Sequence, residues 1–386
     1  MSNITENSNE NAFKHAFNEA LLQQMAASIS RYLPSFHSAA FLAIAPLLTD
    51  REMKARVHLI RDTLAAELPE NYPDALNILI SVLKDNQLRG FSVWPIAEFI
   101  QTYGIEYPDI SLDALAIVTQ FFTSEWAVRP FIKRYPQQTM MFLLDCARSE
   151  NVDIRRWASE GTRPRVPWGE LLPAFIQDPS ATREILEALK FDPELYVRKS
   201  VANHLNDITK DNPDYVIQLL TRWKQQASPA GLKNIDWIIK QALRTLIKAG
   251  HPGALSLIGV QFGAKVELTE FTVKKRKIRL NESLEFTTQL RSLSDQPQNI
   301  VLDYILHFMK ANNTTSPKVF KLRTFSLPPD SVIRIDKKHT IKKITTRQYY
   351  EGIQYIEIQV NGKVLHKEEW LLELAEATDD KTGKIN

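Results

Sequence analysis

The sequence predicts a mainly α protein: a helical-repeat solenoid followed by a smaller β-sandwich. Three observations carry that expectation. Between Ala12 and Gly263, apolar residues recur at the spacing of amphipathic helices, in segments divided by Pro, Asp or Asn. Within this region a short phrase returns after about forty residues, a period typical of two-helix repeat units. Beyond Lys265 the spacing changes to alternating runs of strand length with turn residues between them.

The helical segments each place an apolar stripe along one face. Examples are Ala75-Leu76-Ile78-Leu79-Val82-Leu83, Leu112-Leu115-Ala116-Val118-Phe121 and Val216-Ile217-Leu219-Leu220-Trp223. The repeated phrase is clearest at Asp192-Pro193-Glu194-Leu195-Tyr196-Val197-Arg198, with echoes at Glu125-Trp126-Ala127-Val128-Arg129, Asn151-Val152-Asp153-Ile154-Arg155 and Asn234-Ile235-Asp236-Trp237. An aliphatic-Arg pair opening the second helix of a unit marks HEAT-type repeats. No such unit buries its own stripe, so neighbours stack into a curved solenoid with a concave surface. Trp126, Trp157, Trp223 and Trp237 are expected to fill its core. The repeat domain is expected over 12–263, after a flexible lead of residues 1–11 rich in Ser, Asn and Glu.

The strand-like runs are Val266-Glu267-Leu268, Lys277 to Leu280, Leu284 to Leu290, Ile300 to Phe308, Lys318 to Leu322, Val332 to Ile335 and Tyr355 to Val360. Asn361-Gly362 then signals a two-residue hairpin into Lys363-Val364-Leu365-His366. Short strands at this spacing suggest a sandwich over 264–375. Without paired cysteines it is immunoglobulin-like in topology only. Residues 376–386 read as a polar, frayed tail.

Composition excludes several classes. No apolar run approaches the roughly 20 residues that span a bilayer. The start of the chain shows no basic-then-apolar export pattern, and Cys146 is the single cysteine, which fits a reducing cytosol. The scattered histidines give no metal-ligand spacing, and no Gly-rich phosphate loop occurs, so neither a metal nor another cofactor is expected. Charge is unevenly spread. From Lys265 to Arg347 there are 17 Lys and Arg against 8 Asp and Glu; up to Gly263 there are 27 against 29. Such asymmetry hints at a nucleic-acid partner.

The stretch from Ser124 to Trp168 is the most informative. It carries Ser124-Glu125-Trp126-Ala127-Val128-Arg129-Pro130-Phe131 and, later, Ala158-Ser159-Glu160-Gly161-Thr162-Arg163-Pro164-Arg165-Val166-Pro167-Trp168. Carboxylates set among many cations suit a surface that grips a polyanion while keeping negative groups for a cationic target. With a helical-repeat domain before and an all-β domain after, these motifs resemble the AlkC-type DNA alkylation-repair glycosylases, a branch of the HEAT-like repeat superfamily that also holds the AlkD type. The resemblance runs from about Ala12 to Glu373, and Ala158 to Trp168 is its most specific part.

That resemblance implies a DNA glycosylase of base excision repair, excising N3-alkylated bases, chiefly 3-methyladenine, from duplex DNA without flipping the base into a pocket. By motif match the catalytic carboxylates fall on Glu125 and Glu160 and the active-site aromatic on Trp168. Trp126 stands where a smaller aromatic is expected. The chemistry suits these residue types. An N3-alkylated adenine is cationic and leaves without a general acid, while the sugar gains oxocarbenium character that a fixed carboxylate stabilises. At about 4 Å and an effective dielectric near 20, that attraction amounts to about 4 kcal/mol, roughly a thousandfold in rate. A Trp face against the cation adds about 0.5–2 kcal/mol.

Arg129, Arg155, Arg163 and Arg165 are the expected phosphate contacts beside the acids. In the second domain Lys274, Lys275, Arg276 and Lys277, with Lys337 and Lys338, are candidate backbone-binding positions that carry no sequence preference. The expected protein is a monofunctional, cofactor-free hydrolase, a cytoplasmic, nucleoid-associated monomer with no membrane contact. The rival expectation is a non-catalytic HEAT scaffold that binds nucleic acid or a protein through its concave face.

Overall fold

Side-chain caps open several of the repeat helices in the computed structural model, which describes residues 13–85, 88–344 and 347–374. The expected flexible lead (1–11) and polar tail (376–386) lie outside the described residues. Asn18 accepts from the Leu21 amide to start Glu19–Ser30, Asn71 from Asp74 to start Tyr72–Lys84, and Asn151 from Asp153 and Ile154 to start Val152–Gly161. Each cap satisfies amides that the first helical turn leaves without partners. Prolines occupy the first turn of Trp94–Tyr103, Pro108–Val118, Pro136–Cys146 and Pro213–Gln226, where a missing N–H costs nothing.

Helices follow one another in pairs: Pro136–Cys146 with Val152–Gly161, Arg183–Leu189 with Leu195–Ile208, and Pro213–Gln226 with Pro229–Ala242. The aliphatic-Arg phrase has a physical purpose here. Val197 is buried, and Arg198 folds back to donate to the carbonyls of Asp192 (3.0 Å) and Pro193 (2.5 Å) in the loop before its own helix. Arg155 does the same to Ser149 and Glu150, and its remaining donors reach Asp192 of the next unit at 2.6 and 3.3 Å. Trp126, Trp157 and Trp223 are buried as expected, whereas Trp237 is only half-buried.

The chain falls into two compact units. One runs to Val216 and takes in Trp223–Ala242; the other holds Ile217–Arg222 and the chain from Leu243. The short helices Arg244–Lys248 and Pro252–Leu257 therefore group with the strands. The strands are β1 (Val266–Val273), β2 (Lys277–Arg279), β3 (Ser283–Ser292), β4 (Gln298–Met309), β5 (Thr315–Leu327), β6 (Val332–Thr340), β7 (Gly352–Val360) and β8 (Lys363–Glu373). They form a three-stranded sheet, β1-β3-β6, and a five-stranded sheet, β2-β8-β7-β4-β5. All ladders between them are antiparallel except β2 with β8. Phe286 and Leu290 of one sheet share a core with Leu302, Tyr304, Leu306, Ile356 and Ile358 of the other.

The Asn361-Gly362 turn between β7 and β8 does more than reverse the chain. Both residues have positive φ, 44° and 79°, as a two-residue hairpin of this hand requires. The buried Asn361 side chain accepts from the Val301 amide at 2.7 Å and donates to the carbonyls of Gln261 and Asn299. Gly362 meets the backbone of Gly250, so that a Cβ on either would lie 2.4 Å from the other's Cα. Gly362→Ala is therefore expected to destabilise the sandwich unit by more than about 1 kcal/mol, from both the clash and the left-handed backbone. A lowered urea midpoint is the expected readout; an unchanged midpoint would mean that these two backbones separate freely.

Candidate active site

The helix Val152–Gly161 carries Arg156 and Glu160 one turn apart on one face, with Arg163 just beyond its end. It closes against the turn Glu125–Val128, where a Cβ on Gly161 would stand only 2.8 Å from Val128 Cγ1. That close approach brings Glu125 within reach of the helix. Arg156 Nη1 donates to Glu125 Oε2 at 3.1 Å and also to Thr123 Oγ1, while its Nη2 lies 3.5 Å from Glu160 Oε1. One guanidinium therefore holds both predicted carboxylates. The Tyr196 ring covers it, with Cζ 5.3 Å from the ring centroid.

The two acids differ in how fully they are engaged. Glu160 is 6% exposed; its Oε1 also accepts from Arg163 Nη1 and its Oε2 from Ser200 Oγ at 2.5 Å. Arg163 in turn donates to Asp207 Oδ2 at 2.8 Å, and Lys210 closes the group on Asp207 at 3.0 Å. Among the described residues, Arg156 is the one cation within ion-pair distance of Glu125. Burial pushes the Glu125 carboxyl above its ordinary value, with Arg156 opposing and Glu160 adding to the rise. His204 is buried nearby, and burial followed by the Arg163 charge pushes it down to about 3, so it stays neutral. The arrangement holds two carboxylates in place through Arg156, with the Ser200 hydroxyl and the Tyr196 ring beside them.

Three of the four arginines expected on phosphates are turned to the fold, which corrects that expectation. Arg129 is fully buried and donates to the carbonyls of Glu170 (2.5 Å), Arg163 (2.7 Å), Gly161 (3.1 Å) and Pro164 (3.1 Å). Burial, then the Arg163 cation, lowers it to about 10. Arg155 is spent on Asp192 and its own loop, and Arg163 on Glu160 and Asp207. A cation withdrawn from water must find its partners inside, and the planar guanidinium fork satisfies several oxygens at once. Arg165 is half-buried and pairs with Asp211 at 2.7 and 3.2 Å.

The loop that Arg129 organises carries Trp168, which stands at φ 63° with 51% of its surface exposed. A bulky residue there costs about 1–2 kcal/mol and persists only where its surroundings impose it. Lys54 Nζ donates to the Trp168 carbonyl at 2.6 Å. The indole stacks on Trp94 at 5.2 Å and 22°, and the buried Trp94 meets Trp126 at 4.9 Å. Trp126, standing where a smaller aromatic is expected, is thus part of this aromatic cluster. Lys54, Trp94, Ser200 and Asp207 escaped sequence reasoning. One signal could have found two of them: Ser200 and Asp207 lie 40 and 44 residues from Glu160 and Arg163, about one repeat downstream.

In the sandwich unit the nominated cations other than the half-buried Lys337 are exposed, and each of them has a carboxylate beside it. Lys274 and Lys338 flank Glu285 at 3.5 and 3.3 Å, Lys275 meets Glu282 at 2.8 Å, Arg276 meets Glu368 at 2.8 Å, and Lys277 meets Glu373 at 2.6 Å. Lys337 has no carboxylate within ion-pair distance among the described residues. It lies with Lys318 and Arg347 near His339, whose imidazole is pushed down to about 4 by burial and then by these cations. Among the described residues no cluster of three or more metal-ligating side chains occurs, and no helix is long and apolar enough to cross a membrane.

Helical repeats that hold an internal carboxylate pair, followed by an immunoglobulin-like sandwich, define a HEAT-like repeat protein with an appended β-domain. A family described as the C-terminal Ig-like domain of uncharacterised protein YhaZ matches residues 267–374. YhaZ of Bacillus subtilis (strain 168), described as uncharacterized, is 35% identical over 353 residues, covering 91% of this chain and 96% of its own. The solved structure of Pseudomonas fluorescens alkylpurine DNA glycosylase AlkC, bound to DNA containing an abasic site analog, is similar at a TM-score of 0.88 and 34% identity. That likeness covers 94% of this chain and 99% of that one. The chain belongs to the AlkC family.

The unequal burdens of the two acids are separable by stability. The folded state holds Glu125 above its unfolded value, so its ionised form costs stability, fully above the folded value and not at all below the ordinary carboxylate range. Glu125→Gln is expected to hold or raise Tm near neutral pH, with the difference fading as pH falls below that range. Glu160→Gln strips a partner from two guanidiniums and is expected to cost about 3 kcal/mol. Thermal melts across pH check both; a large loss from Glu125→Gln would make that carboxylate a structural one.

Proposed function

We propose that this protein is a DNA glycosylase that hydrolyses the N-glycosidic bond of N3-alkylated bases, chiefly 3-methyladenine, in duplex DNA. It acts as a monofunctional enzyme, leaving an abasic site with no strand cleavage and keeping the base out of any pocket. The observation that carries this reading is the carboxylate pair joined through Arg156, in a chain of the AlkC family. Glu125, the less engaged acid, supplies negative charge as the sugar turns cationic, and Glu160 fixes Arg156 beside it. The charge is pre-set by the fold, so little reorganisation accompanies bond breaking. Trp168, exposed on the aromatic cluster that includes Trp94 and Trp126, presents an indole face to the cationic nucleotide.

Phosphate binding then falls to other cations than Arg129, Arg155 and Arg163. On the sandwich, Lys318, Lys337 and Arg347 form a group with no carboxylate in ion-pair distance among the described residues, and the exposed pairs of Lys274, Lys275, Arg276, Lys277 and Lys338 exchange readily for phosphate. We place the enzyme in the cytoplasm, acting as a monomer on the nucleoid.

Duplex DNA treated with a methylating agent tests the proposal directly. The protein is expected to release 3-methyladenine with chelator present and without nicking the strand. Glu125→Gln combined with Glu160→Gln is expected to lower release by a thousandfold or so, the size of the charge effect estimated for one carboxylate, while duplex binding persists. Binding without release by the unaltered protein would favour the scaffold reading, and an unaltered rate in the double variant would displace the two acids from the reaction.

A further inference from the structure

Trp168 is held by a local turn, in which the Gly169 amide donates to the Val166 carbonyl at 3.3 Å, and by contacts from distant parts of the chain. Its indole lies on Trp94, from a helix start more than seventy positions earlier in the chain, and its carbonyl accepts from Lys54 of the helix Met53–Glu67. Trp94 is itself fixed: it is 1% exposed, and its indole N–H donates to the buried Glu98 at 3.0 Å. Glu98 Oε2 lies 3.8 Å from His58 and 4.0 Å from Arg61. The ring under Trp168 therefore has one orientation, set by a hydrogen bond to a charge-balanced carboxylate. On the other side of the loop Arg129 ties down the carbonyls of Gly161, Arg163, Pro164 and Glu170, but none of its bonds reaches Trp168. Arg129 shapes the loop on both sides of Trp168; the indole and the Trp168 carbonyl are held from elsewhere.

We propose that Lys54 and Trp94 are positioning residues that hold Trp168 in its exposed, left-handed pose for the bound nucleotide. The proposal rests on the glycosylase reading and extends it to two residues that touch no substrate. A half-exposed tryptophan in a disfavoured backbone conformation relaxes once its restraints are removed, either to an ordinary φ or to an indole collapsed on the surface. Lys54 restrains the backbone and Trp94 the ring, and neither contact substitutes for the other.

The test uses Lys54→Met, which alters a surface side chain, and Trp94→Phe, which keeps an aromatic under the indole. Lys54→Met is expected to slow single-turnover release of 3-methyladenine roughly tenfold, with binding to undamaged duplex within about twofold, because a hydrogen bond from a charged donor carries that much. Trp94→Leu is expected to slow release further and Trp94→Phe to restore most of it. In a Trp168→Ala background Lys54→Met is expected to change nothing more. Equal losses with and without Trp168 would overturn the proposal. Hydrogen exchange gives a readout independent of activity: amides of residues 166–170 are expected to exchange faster in Lys54→Met while global stability holds. Unchanged exchange there would overturn the positioning role even if base release is normal, whereas a protein that releases no base but shows the faster exchange would overturn only the glycosylase reading.

Discussion

Arg156 is the interaction on which the candidate site depends. Its guanidinium is almost wholly withdrawn from water, so each donor needs an oxygen close by, and the fold supplies Thr123, Glu125 and Glu160 around its edge and Tyr196 on its face. Such buried ion pairs rarely stabilise a protein beyond what apolar packing of equal volume would give, yet removing one partner is costly. A group of this kind therefore points to a use for the charge itself. The acids are near each other because a cation lies between them, and Arg163 and Lys210 balance the charge of Glu160 and Asp207 beyond it. Glu160 spends the rest of its capacity on Arg163 and Ser200, which fixes the geometry; Glu125 retains more freedom.

Much of the architecture was legible in the residues. The recurring aliphatic-Arg phrase marked the second helices, the period-two runs marked the strands, and Asn361-Gly362 marked the β7–β8 turn. These signals are local, and periodicity reports which face of an element is buried. It does not report what that face meets. Arg129, Arg155 and Arg163 look identical to phosphate ligands in a sequence, because a buried guanidinium and an exposed one are the same letter. Only the three-dimensional partners, backbone carbonyls for Arg129 and acids one unit away for the others, separate the two destinies. Trp94 was invisible for the same reason: a Trp-Pro step at a helix start reads as ordinary core. β5 runs to Thr315–Leu327, well beyond the Lys318 to Leu322 run, since the polar side chains along it mask the alternation.

The sandwich shows a different electrostatic regime. Its Lys-Glu pairs are mostly half exposed, where water screens the attraction and each pair contributes about 0–1 kcal/mol. Such pairs trade partners easily, unlike the arginines of the repeats, whose partners are fixed by burial. The same count of positive charge thus means reserve capacity in one unit and internal scaffolding in the other.

The bond from Arg155 to Asp192 has a consequence for how the repeats come apart. Arg155 joins a loop carbonyl of its own unit to the aspartate that opens the following phrase, and Asp192 also caps the Glu194 amide there. In a linear array each module is held chiefly by its neighbours, so a rivet of this sort raises the cost of a boundary between melted and intact modules. Fraying that starts at either end of the array would be arrested or transmitted whole at this joint. The module bearing Glu160 would then lose its shape together with the one after it, as a single cooperative block.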